Sequence, residues 1–138
     1  MFTKLQYISQ GETAAMQLKN ITEALDAGCS WVQLRFKNSK KNELKTTAEE
    51  VKKLCDTYTA TFIINDHPVI AKEVDADGVH LGLTDMRISE AKNIIGANNI
   101  FITIQSQYRA ELCLSGSKPQ WPKTNITTTF LNSLQHIL

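Results

Sequence analysis

The sequence predicts an α/β domain built from parallel βα repeats, and three observations carry that expectation. Short apolar runs with turn-forming, oxygen-rich ends recur along the chain, most clearly Phe62-Ile63-Ile64-Asn65-Asp66 and Gly78-Val79-His80-Leu81-Gly82-Leu83-Thr84-Asp85-Met86. Such runs start near Leu5, Trp31, Phe62, Gly78 and Ile100, and the interval after each of the first four holds a helical pattern. Alternation of this kind implies a parallel sheet with right-handed crossovers. Ligand sites in parallel βα architectures lie where strands end, so Asp66 and Asp85 are expected on one rim of the sheet. Two carboxylates on one rim suit a hard cation, with magnesium shared with a phosphate-bearing ligand as the expected one.

The elements follow in order. Leu5 to Ser9 reads as a strand, Gly11 breaks it, and Thr13 can cap a helix whose apolar positions are Ala14, Leu18, Ile21 and Leu25. Gly28 ends that helix. The run Trp31 to Lys37 alternates, with Val32, Leu34 and Phe36 on one face and Gln33, Arg35 and Lys37 on the other. On an antiparallel sheet the polar face would simply meet water. With helices on both sides in sequence a parallel sheet is expected instead, its apolar face packed on helices. An amide, a guanidinium and an ammonium would then point into the interior or its mouth, where a polar ligand such as a pyrophosphate-like anion must pair with them.

Asn38 to Asn42 is a polar loop, and from about Glu43 a second helix carries Leu44, Ala48, Val51, Cys55 and Tyr58 on one stripe. Pro68 suits the first turn of a short helix after Asp66. Ile88, Ala91, Ile94 and Ile95 make a fourth helix closed by Gly96, and Ile100 to Ile104 supplies a fifth strand. His80, inside an apolar strand, reads as a hydrogen-bonded core or pocket-wall residue rather than a base. The domain is expected over residues 1–104, with 105–138 a divergent tail. Pro119 and Pro122 oppose a helix through its loop, Thr124 to Leu138 shows no clear period, and Trp121 is its one strong packing anchor.

The length of 138 residues is that of one domain, yet short for a closed (β/α)8 barrel, which needs about 200 residues or more. Lys and Arg total 15 against 14 Asp and Glu, a net charge of +1 without long runs of one sign, so neither nucleic acid nor an anionic membrane is favoured as a partner. Cys29, Cys55 and Cys113 are widely spaced with no CxxC pair, as expected of reduced, buried thiols in a cytoplasmic protein rather than a disulfide frame or zinc site. No signal core or membrane-length apolar run is present in the sequence.

Three motifs, Gln33-Leu34-Arg35-Phe36-Lys37, Ile63-Ile64-Asn65-Asp66 and Asp77 to Met86, resemble the thiamine phosphate synthase family, also called thiamine phosphate pyrophosphorylase. Ala24-Leu25-Asp26-Ala27-Gly28 and the ending of the fourth helix are also similar to it, and the likeness covers roughly residues 1–100. The resemblance implies a TIM-barrel fold, here a truncated or partial one. It also implies a transferase of thiamine biosynthesis that joins a hydroxymethylpyrimidine diphosphate to a thiazole phosphate and releases pyrophosphate. By the same resemblance Gln33, Arg35, Lys37 and Asn65 bind the pyrimidine diphosphate, Arg35 and Lys37 act as the catalytic cations, and Asp66 and Asp85 hold Mg2+. The partners implied are these small-molecule substrates, with a homo-oligomer as a further expectation. A charged leaving group departs more readily when fixed cations and a divalent ion neutralise it, so no side-chain nucleophile is required.

The family pattern stops at the fifth strand, where Ile102-Thr103-Ile104-Gln105-Ser106 does not match and no thiazole phosphate site is recognisable. A frameshifted or truncated gene product, a shortened protein that closes its barrel by self-association, and a five-stranded open α/β domain would each explain this. The first is expected, because the tail loses glycine and periodicity together. Two other functional readings stand beside the enzyme: a non-catalytic binding or regulatory paralogue or inert fragment of the family, and an unrelated flavodoxin-like domain in which Asp66 and Asp85 only cap helices.

Overall fold

The computed structural model describes residues 6–82 and 84–103. Its elements alternate along the chain: β1 (Tyr7–Ile8), α1 (Ala14–Asp26), β2 (Trp31–Leu34), α2 (Lys41–Tyr58), β3 (Thr61–Asn65), α3 (Pro68–Glu73), β4 (Gly78–Leu81), α4 (Ile88–Ile95) and β5 (Ile100–Thr103). The strands form one sheet in the order β1-β2-β3-β4-β5, and every neighbouring pair is parallel. Strand order equal to sequence order, without a reversal, is the arrangement of a barrel wall. A flavodoxin-like sheet reverses direction after its first strand, so that alternative is corrected here.

Local chemistry sets the helix ends. Thr13 caps α1, its Oγ1 accepting from the Met16 N–H at 3.2 Å. At the other end the Gly28 N–H donates to the Leu25 carbonyl and the Cys29 N–H to that of Ala24, closing the last turn around Gly28 at φ +93°. Pro68 occupies the first turn of α3, where its missing N–H costs nothing.

One apolar core lies between the helices and one face of the sheet. Val32 and Leu34 of β2, Phe62 and Ile64 of β3 and Val79 and Leu81 of β4 meet Ile21, Leu25, Leu44, Val51, Cys55, Ile70 and Ala91 there. Burying each of the larger of these side chains contributes about 1.5–3 kcal/mol. Alternate strand positions face the other way, and two registered rows run across that inner face. Ile8, Gln33, Ile63, Gly78 and Ile100 form one, and Asn65, His80 and Ile102 lie nearer the strand ends.

The structure departs from the sequence expectations at several places: β1 stops at Ile8, short of Ser9, and α2 starts at Lys41, inside the loop expected over Asn38 to Asn42. β2 ends at Leu34 rather than Lys37, because the Arg35 N–H turns to the Ser9 hydroxyl at 2.9 Å instead of a β1 carbonyl. Tyr58 does not join the buried stripe of α2; it is 39 % exposed and its hydroxyl donates to Asp26. Gln17 and Thr47 are buried on helix faces expected to be apolar, and Cys29, expected to be buried, is only partly so. Among the described residues no helix is long and apolar enough to cross a membrane. The expectations for Leu5, Leu83, Ile104 and the 105–138 tail, and with them the domain division, fall outside the described residues.

Candidate functional site

The C-terminal ends of β2, β3 and β4 bring the sequence-singled residues to one rim. Gln33 and Asn65 lie on neighbouring strands, and the Gln33 Nε2 donates to the Asn65 Oδ1 at 2.8 Å. Gln33 is only 1 % exposed, and its Oε1 is buried with no hydrogen-bond partner. A buried amide oxygen left unpaired costs on the order of 1–3 kcal/mol unless a ligand donor meets it. Among the described residues, the orphaned acceptor is the feature here that most directly asks for a ligand.

Asp66 is the first residue after β3 and takes a left-handed conformation, φ +63°, tolerated by aspartate at a cost of about 1 kcal/mol. Its N–H still donates to the His80 carbonyl at 2.8 Å, which locks this turn to β4. Asp85 lies in the loop between β4 and α4, and its Oδ2 accepts from the Gly82 N–H at 2.6 Å. Neither carboxylate caps a helix: the residues at the caps of α3 and α4 are His67 and Arg87, without side-chain cap bonds. The cap roles of the flavodoxin-like reading are therefore absent at both positions.

The Asp66 carboxyl senses that of Asp85. Asp66 is pushed up to about 6, first by partial desolvation of its carboxyl and then by the hydrogen bond to Asp85 and that residue's charge; Arg35 and Asn65 pull the other way. Arg35 thus stands close enough to act on Asp66, and it also acts on His80, which burial and then the guanidinium hold below the ordinary histidine range. His80 is 8 % exposed, as expected of a residue inside an apolar strand. Arg35 and Lys37 are exposed beyond the end of β2. None of the ion pairs among the described residues uses Arg35, Lys37, Asp66 or Asp85.

This donor set fits a hard divalent cation. Two oxygen donors crowded onto one rim, one of them with its proton affinity raised by the other, are stabilised when a small cation sits between them. Among the described residues no group of three or more His, Cys, Asp or Glu side chains forms a cage, so phosphate oxygens and water would complete the coordination. Space is kept for Asp85 by Gly82, where a Cβ would fall 2.7 Å from the Asp85 Oδ2.

The structure therefore brings together Gln33 with Asn65, and Asp66 with Asp85 and Arg35, while Lys37 is not joined to them and lies exposed three residues past the end of β2. Sequence reasoning missed Gly82 as the donor to Asp85, and missed Ser9 and Gln17, which bond to the main chain of Arg35. Gln17 had one available signal: it lies four residues before Ile21, on the apolar stripe of α1.

Comparison with known proteins reaches the same place. The family model described as thiamine monophosphate synthase matches residues 5–113, which runs past the end of the motif-based likeness near residue 100. Thiamine-phosphate synthase of Flavobacterium johnsoniae is 55 % identical over 100 residues, covering 72 % of this chain and 47 % of that one. The Phocaeicola vulgatus protein of the same name is 35 % identical over 123 residues, 84 % of this chain and 59 % of its own. Among solved structures, thiamine phosphate pyrophosphorylase from Pyrococcus furiosus superposes with a TM-score of 0.70 at 31 % identity, over 83 % of this chain and 57 % of that chain. The chain spans about half the length of the Flavobacterium relatives it matches. With a family match over most of its length, a relative at this identity and the same parallel βα wall, the chain belongs to the thiamine monophosphate synthase family.

Proposed function

We propose that the chain carries the pyrimidine diphosphate site of a thiamine phosphate synthase and takes part in joining that substrate to a thiazole phosphate. The observation that carries this reading is the Asp66–Asp85 carboxyl pair beside Arg35, one strand away from a buried amide acceptor on Gln33. Each part has a match in the substrate. Gln33 Oε1 accepts from an N–H donor of the pyrimidine, and the bond to Asn65 fixes the orientation of its amide. Arg35 and Lys37 place positive charge where the diphosphate lies.

Asp66 and Asp85 would hold Mg2+, which neutralises charge on the diphosphate oxygens when bound. The bond between the pyrimidine methylene carbon and the diphosphate oxygen breaks with its electron pair leaving on pyrophosphate. The thiazole nitrogen then supplies the pair for the new C–N bond. Charge develops on the departing oxygen, so Arg35 and Lys37 stabilise the transition state more than the ground state.

The test is turnover. Pyrophosphate release is followed with the pyrimidine diphosphate, thiazole phosphate and Mg2+, in the native chain and in Arg35→Ala. Release that requires both substrates and falls at least tenfold in the variant is expected. Tight diphosphate binding without release would assign the chain to a binding or regulatory role instead.

A further inference from the structure

Two buried polar side chains outside the rim converge on the main chain of Arg35. Ser9, 2 % exposed, follows β1; Gln17, 1 % exposed, sits in the first half of α1. The Ser9 N–H donates to the Gln33 carbonyl at 2.9 Å, the last backbone bond between the two strand ends. In a continued parallel ladder the Arg35 N–H would next reach a β1 carbonyl. It donates instead to the Ser9 Oγ at 2.9 Å. The Arg35 carbonyl accepts from the Gln17 Nε2 at 3.2 Å, and the same nitrogen donates to the Gly11 carbonyl at 2.8 Å. Both polar groups of the Arg35 backbone are thus held by side chains, at a point where the sheet itself no longer holds them.

We propose that Ser9 and Gln17 are positioning residues for Arg35, clamping its main chain so that the guanidinium is presented to a diphosphate anion. The inference rests on the proposed function of this rim. A guanidinium on a flexible stem loses rotamer freedom when it pairs with an anion, and a mobile backbone would add to that loss. Fixing the N–H and the carbonyl of one residue removes the backbone share before the ligand arrives. Gln17 stands on the stripe that Ile21 and Leu25 continue, where an apolar side chain would fill the space without leaving Oε1 unpaired. The α1 core needs no amide there, whereas the carbonyls of Gly11 and Arg35 do. Asn20 of the same helix donates to the Gln10 carbonyl at 2.7 Å, so α1 holds the whole β1–α1 loop against the end of β2.

The experiment is a double-mutant cycle read by calorimetry, with inorganic pyrophosphate and Mg2+ titrated into the full chain. Ser9→Ala and Gln17→Met should each weaken pyrophosphate binding about three- to tenfold, the share of one buried hydrogen bond. In an Arg35→Ala background neither should cause a further loss, because each acts through Arg35. Ser9→Thr, which keeps the hydroxyl, should restore binding. Either variant binding like the native chain, or losses that multiply with that of Arg35→Ala, overturns the proposal. So does failure of both variants to fold, which would place the pair in the fold alone. A native chain that does not bind pyrophosphate would instead remove the functional reading beneath it.

Discussion

Replacing Gly82 by alanine separates the carboxylate pair from the stability of the fold, and Gly78 four residues earlier provides the contrast. A Cβ on Gly82 would lie 2.7 Å from the Asp85 Oδ2 and 3.7 Å from its Cγ. The neighbour that must give way is the end of a mobile side chain, and Gly82 is not among the residues at positive φ. The carboxylate can swing away at little cost to the fold, but it then loses the bond from the Gly82 N–H. A hydrogen bond to a charged group contributes about 1.5–3 kcal/mol, so Mg2+ affinity should fall about 10–100-fold. Thermal stability should change by less than about 1 kcal/mol, since alanine also restricts the unfolded chain. At Gly78 the same substitution places a Cβ 2.0 Å from the Ile100 carbonyl oxygen and 2.7 Å from its carbonyl carbon, all main chain of the next strand. There β4 and β5 must separate, at about 3 kcal/mol or more. The assay pairs a thermal melt with calorimetric Mg2+ titration in the presence of inorganic pyrophosphate. Gly82→Ala retaining Mg2+ affinity within twofold of the native chain, or melting as low as Gly78→Ala, would refute the assignment of Gly82 and Asp85.

Three further outcomes follow from the same geometry. Asp66 is pushed up from 3.8 to about 6 in the folded chain, so the native state binds this proton more tightly than the unfolded one. Its contribution therefore favours folding at low pH and is lost as pH rises from about 4 through about 6. Urea midpoints measured without divalent cations should fall less across that window in Asp66→Asn than in the native chain, and an identical fall would contradict the shift. Cys55 is fully buried and pushed up to about 12, chiefly by desolvation, so iodoacetamide near pH 8 should leave it unmodified until the chain unfolds, as read by peptide mass spectrometry. Thr13→Ala removes the α1 cap and should lower stability by about 1 kcal/mol in urea unfolding, with no change in pyrophosphate affinity.

The repeat architecture was legible because two periodicities alternate along the chain. Ile21 and Leu25, then Leu44, Ala48, Val51 and Cys55, mark buried helix faces, while Val32, Leu34, Phe62 and Ile64 mark strand faces, and these are the residues of the core. The rim was legible for a related reason: Asn65 ends an apolar strand and Asp66 directly follows it, and a strand that ends delivers its last and next side chains to the edge. What stayed hidden depends on partners distant in sequence. Tyr58 fits the stripe of α2 by spacing, yet Asp26 at the end of α1 draws its hydroxyl outward. Gln17 looks like an interruption of an apolar face until the carbonyls of Gly11 and Arg35 are placed above it. The end of β2 at Leu34 depends on a serine hydroxyl competing with a main-chain carbonyl for one N–H, which no propensity records.

The central claim is that this rim binds a pyrimidine diphosphate together with a divalent cation, and calorimetry of that substrate with and without Mg2+ tests it most directly. Binding that needs Mg2+, weakens at least tenfold in Asp66→Asn and Arg35→Ala, and weakens in Gln33→Leu even when pyrophosphate affinity is retained is the expected result. Binding that is absent, or that is indifferent to Mg2+ and to all three substitutions in folded chains, would contradict it.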